Sequence, residues 1–292
     1  PLGQRLRRGV VPYLYIAPTV GLFALFVLAP FVQTAWLSLF TWDGITPGTW
    51  NGLGNYRDLL ADGVVRSAFV HSLVLIVFFS VFPIAIGLGL AATSMVARVR
   101  GDGLLRTMIF LPQVISTVVV GVTWNWIFAP DGPLNRLLGA VGLSVLEHNW
   151  LGSFRWTLPA VGSIGTWGLI GLCVALFVAG IQTIPRALYD AAAIDGAGRV
   201  REFLAITLPS LRGEIAVAAT LTVVGALRAF DVIYVTTRGG PGTSSIVPGL
   251  IVYTRAFADG RVGSACAIGV VLAVLIFAIS FAINTIADRG RT

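Results

Sequence analysis

The sequence predicts an all-α, polytopic membrane protein with six transmembrane helices, and three observations carry that prediction. The 292 residues are 56% hydrophobic and 11% charged, against roughly one quarter charged in a soluble globule; mean hydropathy is +0.87. Apolar runs recur at the length of roughly 20 residues that a helix needs to cross about 30 Å of hydrocarbon. The basic residues fall in short clusters beside those runs, so the net charge of +7 reports membrane orientation and no nucleic-acid partner is expected.

The first run, from about Tyr13 to Leu39, follows the basic cluster Gln4-Arg5-Leu6-Arg7-Arg8. A signal peptide begins in the same way, but its apolar core is only about 7 to 15 residues long, so an uncleaved first span is expected. A chain numbered from Pro1 is expected to lack a few native residues, the initiator among them. Further spans are expected near Phe69 to Ala97, Thr107 to Phe128, Trp156 to Ile181, Ile215 to Thr236 and Ser264 to Ile286. Pro83 and Pro112 fall inside the second and third, where neighbouring helices satisfy the freed carbonyls; kinks are expected there. The chain thus divides into a cytoplasmic segment 1–12, a transmembrane domain 13–286 and a cytoplasmic tail 287–292, with a polar loop 183–214 between spans four and five.

Orientation follows from the arginines. With the N-terminus inside, Arg5, Arg7, Arg8, Arg98, Arg100, Arg106, Arg186, Arg199, Arg201, Arg212, Arg289 and Arg291 lie on the inner side, against Arg57, Arg66, Arg136, Arg155, Arg238, Arg255 and Arg261 outside. Both termini and the loop are therefore expected to face the cytoplasm. Trp36, Trp42, Trp124, Trp126, Trp150 and Trp156 gather at the expected outer ends, as an aromatic belt does. The outer loops are short and turn-rich.

Catalytic chemistry finds little footing. All 20 basic residues are arginine, which removes the lysine of a P-loop and of a Schiff base. His71 and His148 are far apart, with no metal-ligand spacing around them, and no GxSxG elbow occurs. Asp43, Asp58, Asp62, Asp131 and Glu147 read as solvated loop carboxylates. Cys173 and Cys266 sit in apolar runs and read as small hydrophobes. No catalytic residue, metal site or cofactor is expected in this chain. One intramembrane pair stands out: Arg228 and Asp231, at i and i+3 on span five, are expected to share a helix face and form an ion pair.

The polar loop holds the clearest pattern. Pro185 is placed to start a helix, Ala187 to Ala193 are strong helix formers, and Gly196 is placed as a left-handed cap. A second short helix shows Val200, Phe203, Leu204 and Thr207 on one face, with Arg199, Arg201 and Glu202 facing away and Pro209 at its end. So short a stripe needs a cover: the chain's own helix ends, the lipid interface or a partner protein.

Asp190-Ala191-Ala192, three residues, Gly196, nine residues and Ile206-Thr207-Leu208-Pro209 resemble the EAA loop of binding-protein-dependent ABC importers. The resemblance covers nearly the whole chain and narrows to the carbohydrate-uptake branch, the maltose-type, MalF-like permeases. Its other marks are Trp124-Asn125-Trp126-Ile127-Phe128, Asp131-Gly132-Pro133-Leu134-Asn135, Gln182-Thr183-Ile184-Pro185, Phe230-Asp231-Val232-Ile233-Tyr234, Thr237-Arg238-Gly239-Gly240-Pro241-Gly242 and Tyr253-Thr254-Arg255-Ala256-Phe257. The chain departs from the pattern in carrying Asp190 where the family has Glu, one methylene shorter; the large insertion of the biggest members is absent.

The resemblance implies a type I ABC importer permease fold in a bacterial or archaeal cytoplasmic membrane. It implies a second, MalG-like permease subunit, an ABC ATPase dimer that binds ATP and Mg, an extracytoplasmic sugar-binding protein and the lipid bilayer as partners. Asp190, Ala191, Ala192, Asp195, Gly196, Ala197, Arg199, Phe203, Ile206, Leu208 and Pro209 become the residues expected to couple to the ATPase. A sugar cavity is implied between spans four and five, making Thr166, Trp167 and Thr222 candidate lining residues. Gly165, Ala226 and Ala229 stand where a maltose permease is polar, which leaves much of the selection to the binding protein. A glycerol phosphate or other polyol phosphate permease is the nearest rival reading, and an ion-coupled secondary transporter the nearest in another class.

Overall fold

Four unbroken helices in the computed structural model are long and apolar enough to cross a membrane, and two further helix pairs meet the same criterion if each bent pair is one span. The structure describes Tyr13, residues 15–96 and residues 102–289. Segment 1–12 and Arg5, Arg7, Arg8, Arg98, Arg100 and Arg291 of the charge count lie outside the described residues, as do the side chains of Arg106 and Arg289.

The unbroken helices are α1 (Tyr15–Leu37), α3 (Gly63–Thr93), α7 (Thr157–Gln182) and α13 (Val262–Asp288). The remaining helices are α2 (Gly54–Ala61), α4 (Asp102–Val114), α5 (Thr117–Ile127), α6 (Pro133–Ala140), α8 (Arg186–Ile194), α9 (Arg199–Ser210), α10 (Arg212–Leu227), α11 (Asp231–Thr236) and α12 (Pro248–Phe257). The six expected spans are thus four straight helices and two bent pairs. The third is not one rod: α4 and α5 meet at 107°, two residues beyond Pro112, whose missing N–H weakens the last turn of α4. The fifth bends by 68° where α9 meets α10 and stops at Leu227, short of the expected Thr236.

The chain forms two compact units. In the first, residues 1–62 with 252–271, a two-stranded antiparallel hairpin pairs Phe40 with Trp50 and Thr41 with Thr49. The Asn55 amide donates to the carbonyls of Ser38 and Phe40 and anchors the hairpin to α2. Arg255 is buried there, donating to the Ser264 hydroxyl and pairing with Asp62. Asp62 is therefore no free loop carboxylate; the chain brings together two charges 193 residues apart.

The second unit, residues 63–251 with 272–292, is organised on α7. Gly171 lies so close to α4 that a methyl there would meet the Ile109 carbonyl oxygen at 2.5 Å. Small residues permit such approach in a bilayer, where packing in place of hydrophobicity holds helices together. Two apolar clusters fill the unit. One gathers Leu75, Phe79, Val161, Ile164 and Ile233, the other Ala91, Cys173, Phe177 and Leu211. Asn135 closes the turn before α7 by accepting from the Trp150 indole N–H at 2.8 Å and donating to the carbonyls of Pro130 and His148.

Candidate functional site

The polar loop folds into a helix, a tight turn and a second helix. α8 begins at Arg186, with Pro185 just outside it in extended geometry, one residue later than expected. Its end is a Schellman motif: the Gly196 N–H donates to the Ala193 carbonyl and the Ala197 N–H to the Ala192 carbonyl. Gly196 has φ +72°, a left-handed conformation that only glycine adopts without strain. A side chain there would meet nothing within 4 Å, so within the chain the constraint is purely conformational. The Tyr189 hydroxyl reaches the Thr207 hydroxyl at 2.9 Å and ties the two helices together. Thr207 is buried; the pairing is invisible to helical periodicity, because its partners are 18 residues apart.

α9 differs from expectation in its register. Phe203–Thr207 form a π-turn, which widens the helix before Pro209, so the helix runs past that proline to Ser210. Val200 and Leu204 point outward, 73% and 55% exposed, while Phe203, Ile206 and Leu208 are half-buried. Of the other expected coupling residues, Asp190, Ala191, Asp195, Gly196, Arg199 and Pro209 are exposed, and Ala192 and Ala197 half-buried. The expected apolar stripe is thus split: part of it packs at home and part is offered outward. A cavity of about 880 Å³ separates α9 from the end of α3, lined by Leu88, Ala92, Tyr189, Val200, Phe203 and Thr207 among others.

A second, smaller cavity of about 210 Å³ opens at the break between α4 and α5. Phe79, Pro112, Gln113, Ile115, Thr117, Val120, Ile164, Gly165, Gly168, Leu169, Gly225 and Val232 line it. Thr166, Trp167 and Thr222 do not. The Thr166 hydroxyl donates to the Phe78 carbonyl at 2.6 Å, and the Thr222 hydroxyl, fully buried, is bonded to the Ser80 hydroxyl at 2.8 Å and donates to the Ala218 carbonyl. Phe78 and Ser80 both belong to the π-turn Val77–Val81 of α3. The two threonines hold that widened turn and so have no hydroxyl free for a ligand. Trp167 packs edge-on against Trp124, ring centroids 5.7 Å apart. Gln113, Thr117, Gly168 and Gly225, which do line the cavity, lacked any distinguishing pattern; only the Pro112 kink marked the place.

Arg228 and Asp231 do not share a helix face. Arg228 caps the end of α10 and Asp231 opens α11, with Phe230 between them at φ −128°, ψ −55°. The i, i+3 expectation assumed a helix that breaks at this point, and no ion pair joins the two side chains.

In the loop after α1, Asp43 accepts from the backbone N–H groups of Ile45 and Thr46 and from the Thr46 hydroxyl. Those bonds, the Ile45 amide first, hold its carboxyl below the ordinary aspartate range. Trp42 locks the same turn by donating its indole N–H to the Thr46 carbonyl at 2.8 Å.

Comparison with known proteins finds relatives that cover nearly the whole chain. The Bacillus subtilis probable ABC transporter permease protein YurN is 36% identical over 274 residues, 93% of this chain and 94% of its own. The diacetylchitobiose uptake system permease protein NgcF of Streptomyces coelicolor is 32% identical over 95% of this chain and 83% of its own. A chain in the crystal structure of a bacterial ABC transporter involved in import of the acidic polysaccharide alginate superposes with a TM-score of 0.82 at 25% identity, covering 99% of this chain and 98% of that one. With these likenesses, and with residues 84–292 matching its family model, the chain belongs to the binding-protein-dependent transport system inner membrane component family.

Proposed function

We propose that this chain is a permease subunit of an ATP-driven importer that carries a sugar, as monosaccharide or oligosaccharide, across the cytoplasmic membrane. In this reading the helix-turn-helix from Arg186 to Ser210 faces the cytoplasm, as both termini do, and docks on a separate ABC ATPase dimer that binds ATP and Mg. A MalG-like second permease completes the pathway and an extracytoplasmic sugar-binding protein delivers the cargo. Closure of the ATPase pulls on α8 and α9, and α10 and α7 tilt in response.

The observation that carries the reading is the outward face at Val200 and Leu204 beside the capped turn at Gly196: an apolar face held by a rigid turn is suited to a protein partner. The arginine distribution supports the orientation, the lack of lysine supports a separate ATPase, and the carbohydrate relatives support the sugar. Asp190 is exposed on the same segment and serves as the carboxylate offered to the ATPase.

Gly196→Trp tests the reading in the reconstituted complex. A bulky residue at φ +72° strains the turn and fills the docking face, so sugar uptake and binding-protein-stimulated ATP hydrolysis are each expected to fall by about tenfold or more, a loss of at least ~1.4 kcal/mol in coupling. Unchanged uptake and unchanged hydrolysis would remove the docking role from this segment.

A further inference from the structure

The break between α10 and α11 leaves two opposite charges uncovered in an otherwise apolar span. We propose that Arg228 and Asp231 pair with charges of opposite sign on the second permease subunit. This rests on the import reading and names a contact between its two membrane subunits.

Both side chains are exposed, and among the described residues neither is joined by a hydrogen bond or an ion pair. Arg255, by contrast, is buried and paired within the chain. Arg212 stands at the other end of α10. At about 1.5 Å per residue, Arg228 lies roughly 24 Å from it along the helix axis, short of the roughly 30 Å of hydrocarbon. A charge at that depth is costly and is found beside a partner or in a wet cavity. An arginine facing lipid can extend its stem toward the headgroups, but the short aspartate side chain cannot. The end of α10 and the start of α11 match the two charges in sign, yet a helix dipole contributes less than burial in hydrocarbon costs.

The face beneath the charges distinguishes a partner helix from water. Along α10 the outward positions are Val217, Leu221 and Arg228, with Val224 half-buried among them. Steps of four, three and four residues keep all of them on one stripe. Ala218, Thr222 and Ala226, on the other side, are buried in the chain. A face lining water would be polar, whereas Val217 and Leu221 suit the surface of another helix. Two opposite charges three residues apart are also self-complementary. When two subunits of one fold meet about a two-fold axis, each contact made by one is returned by the other. An acid on the second subunit then meets Arg228, and a base meets Asp231.

Charge exchange tests the pairing in the purified complex, read as the ratio of second permease to this chain recovered together. Arg228→Asp and Asp231→Arg each set like charges against one another, and each is expected to lower that ratio at least about fivefold. The two substitutions combined separate a contact between subunits from one within the chain. Charges that pair with each other are restored by the exchange; charges that pair across subunits meet their own sign at both places, and the ratio stays low. Recovery on exchange, or no loss in either single variant, would overturn the proposal. A photoreactive residue at Leu221, on the same stripe, leaves both charges in place and decides the matter where a reversed charge prevents assembly. Illumination is expected to join it to the second permease, and absence of that product from a complex holding both subunits would equally overturn the proposal. A complex that lacks a second permease contradicts the import reading and the pairing with it; one that holds both and recovers on exchange contradicts the pairing alone.

Discussion

Single side chains in this protein take their roles from where the backbone departs from regular helix. Thr166 and Thr222 are candidate sugar ligands only through the resemblance, which implies a sugar cavity lined by spans four and five. The π-turn at Val77–Val81 uses them instead, and nothing in the sequence of α3 announces a π-turn. The carboxylates divide in the same way. Asp62 finds Arg255, a pairing that no local pattern encodes, whereas Asp43 caps its own turn, which its spacing to Thr46 permits. Asp43 also has a pH signature. Its pKa is lowered in the folded turn, so the stabilisation is complete above the ordinary aspartate value of about 3.9 and is lost as pH falls through the lower folded value. The difference in fluorescence between the protein and its Trp42→Phe variant is therefore expected to stay constant from pH 8 to about pH 5 and to change only below about pH 4. In Asp43→Asn the acid step is expected to disappear.

Among the helices, length and apolarity made α1, α3, α7 and α13 readable from the sequence, with ends displaced by a few residues. The bent spans were less legible because a run of apolar residues has the same composition whether straight or folded back by 107°. Pro112 marked the first bend; the break after Leu227 carries no proline, and the assumption of continuity there produced the mistaken pair Arg228 and Asp231. Packing of α7 on α4 gives a test at this scale. Gly171→Ala presses a methyl on the Ile109 carbonyl, a backbone atom that cannot rotate away, and is expected to cost about 1–3 kcal/mol, seen as a lower thermal midpoint of the purified complex. Gly168→Ala, three residues earlier on α7 with open space before it, is expected to keep that midpoint or raise it slightly, since alanine favours the helix over glycine.

For the whole molecule, the family was legible in the loop from Asp190 to Pro209 because a capped turn with fixed spacing is a local structure that its sequence specifies almost completely. The small cavity was not legible, since it is assembled from residues of α3, α4, α5, α7, α10 and α11. The exposed face beside the turn at Gly196 is, in the proposed reading, the handle that receives force from the ATPase. The handle is the central claim, and cross-linking tests it most directly. A photoreactive residue placed at Leu204, 55% exposed, is compared in the assembled complex with one at Val145, 90% exposed in the sequence before α7. The account predicts that illumination joins position 204 to the ATPase subunit and leaves position 145 unjoined to it. Cross-linking of the ATPase at 145, or its absence at 204 in a complex that hydrolyses ATP, would contradict the account.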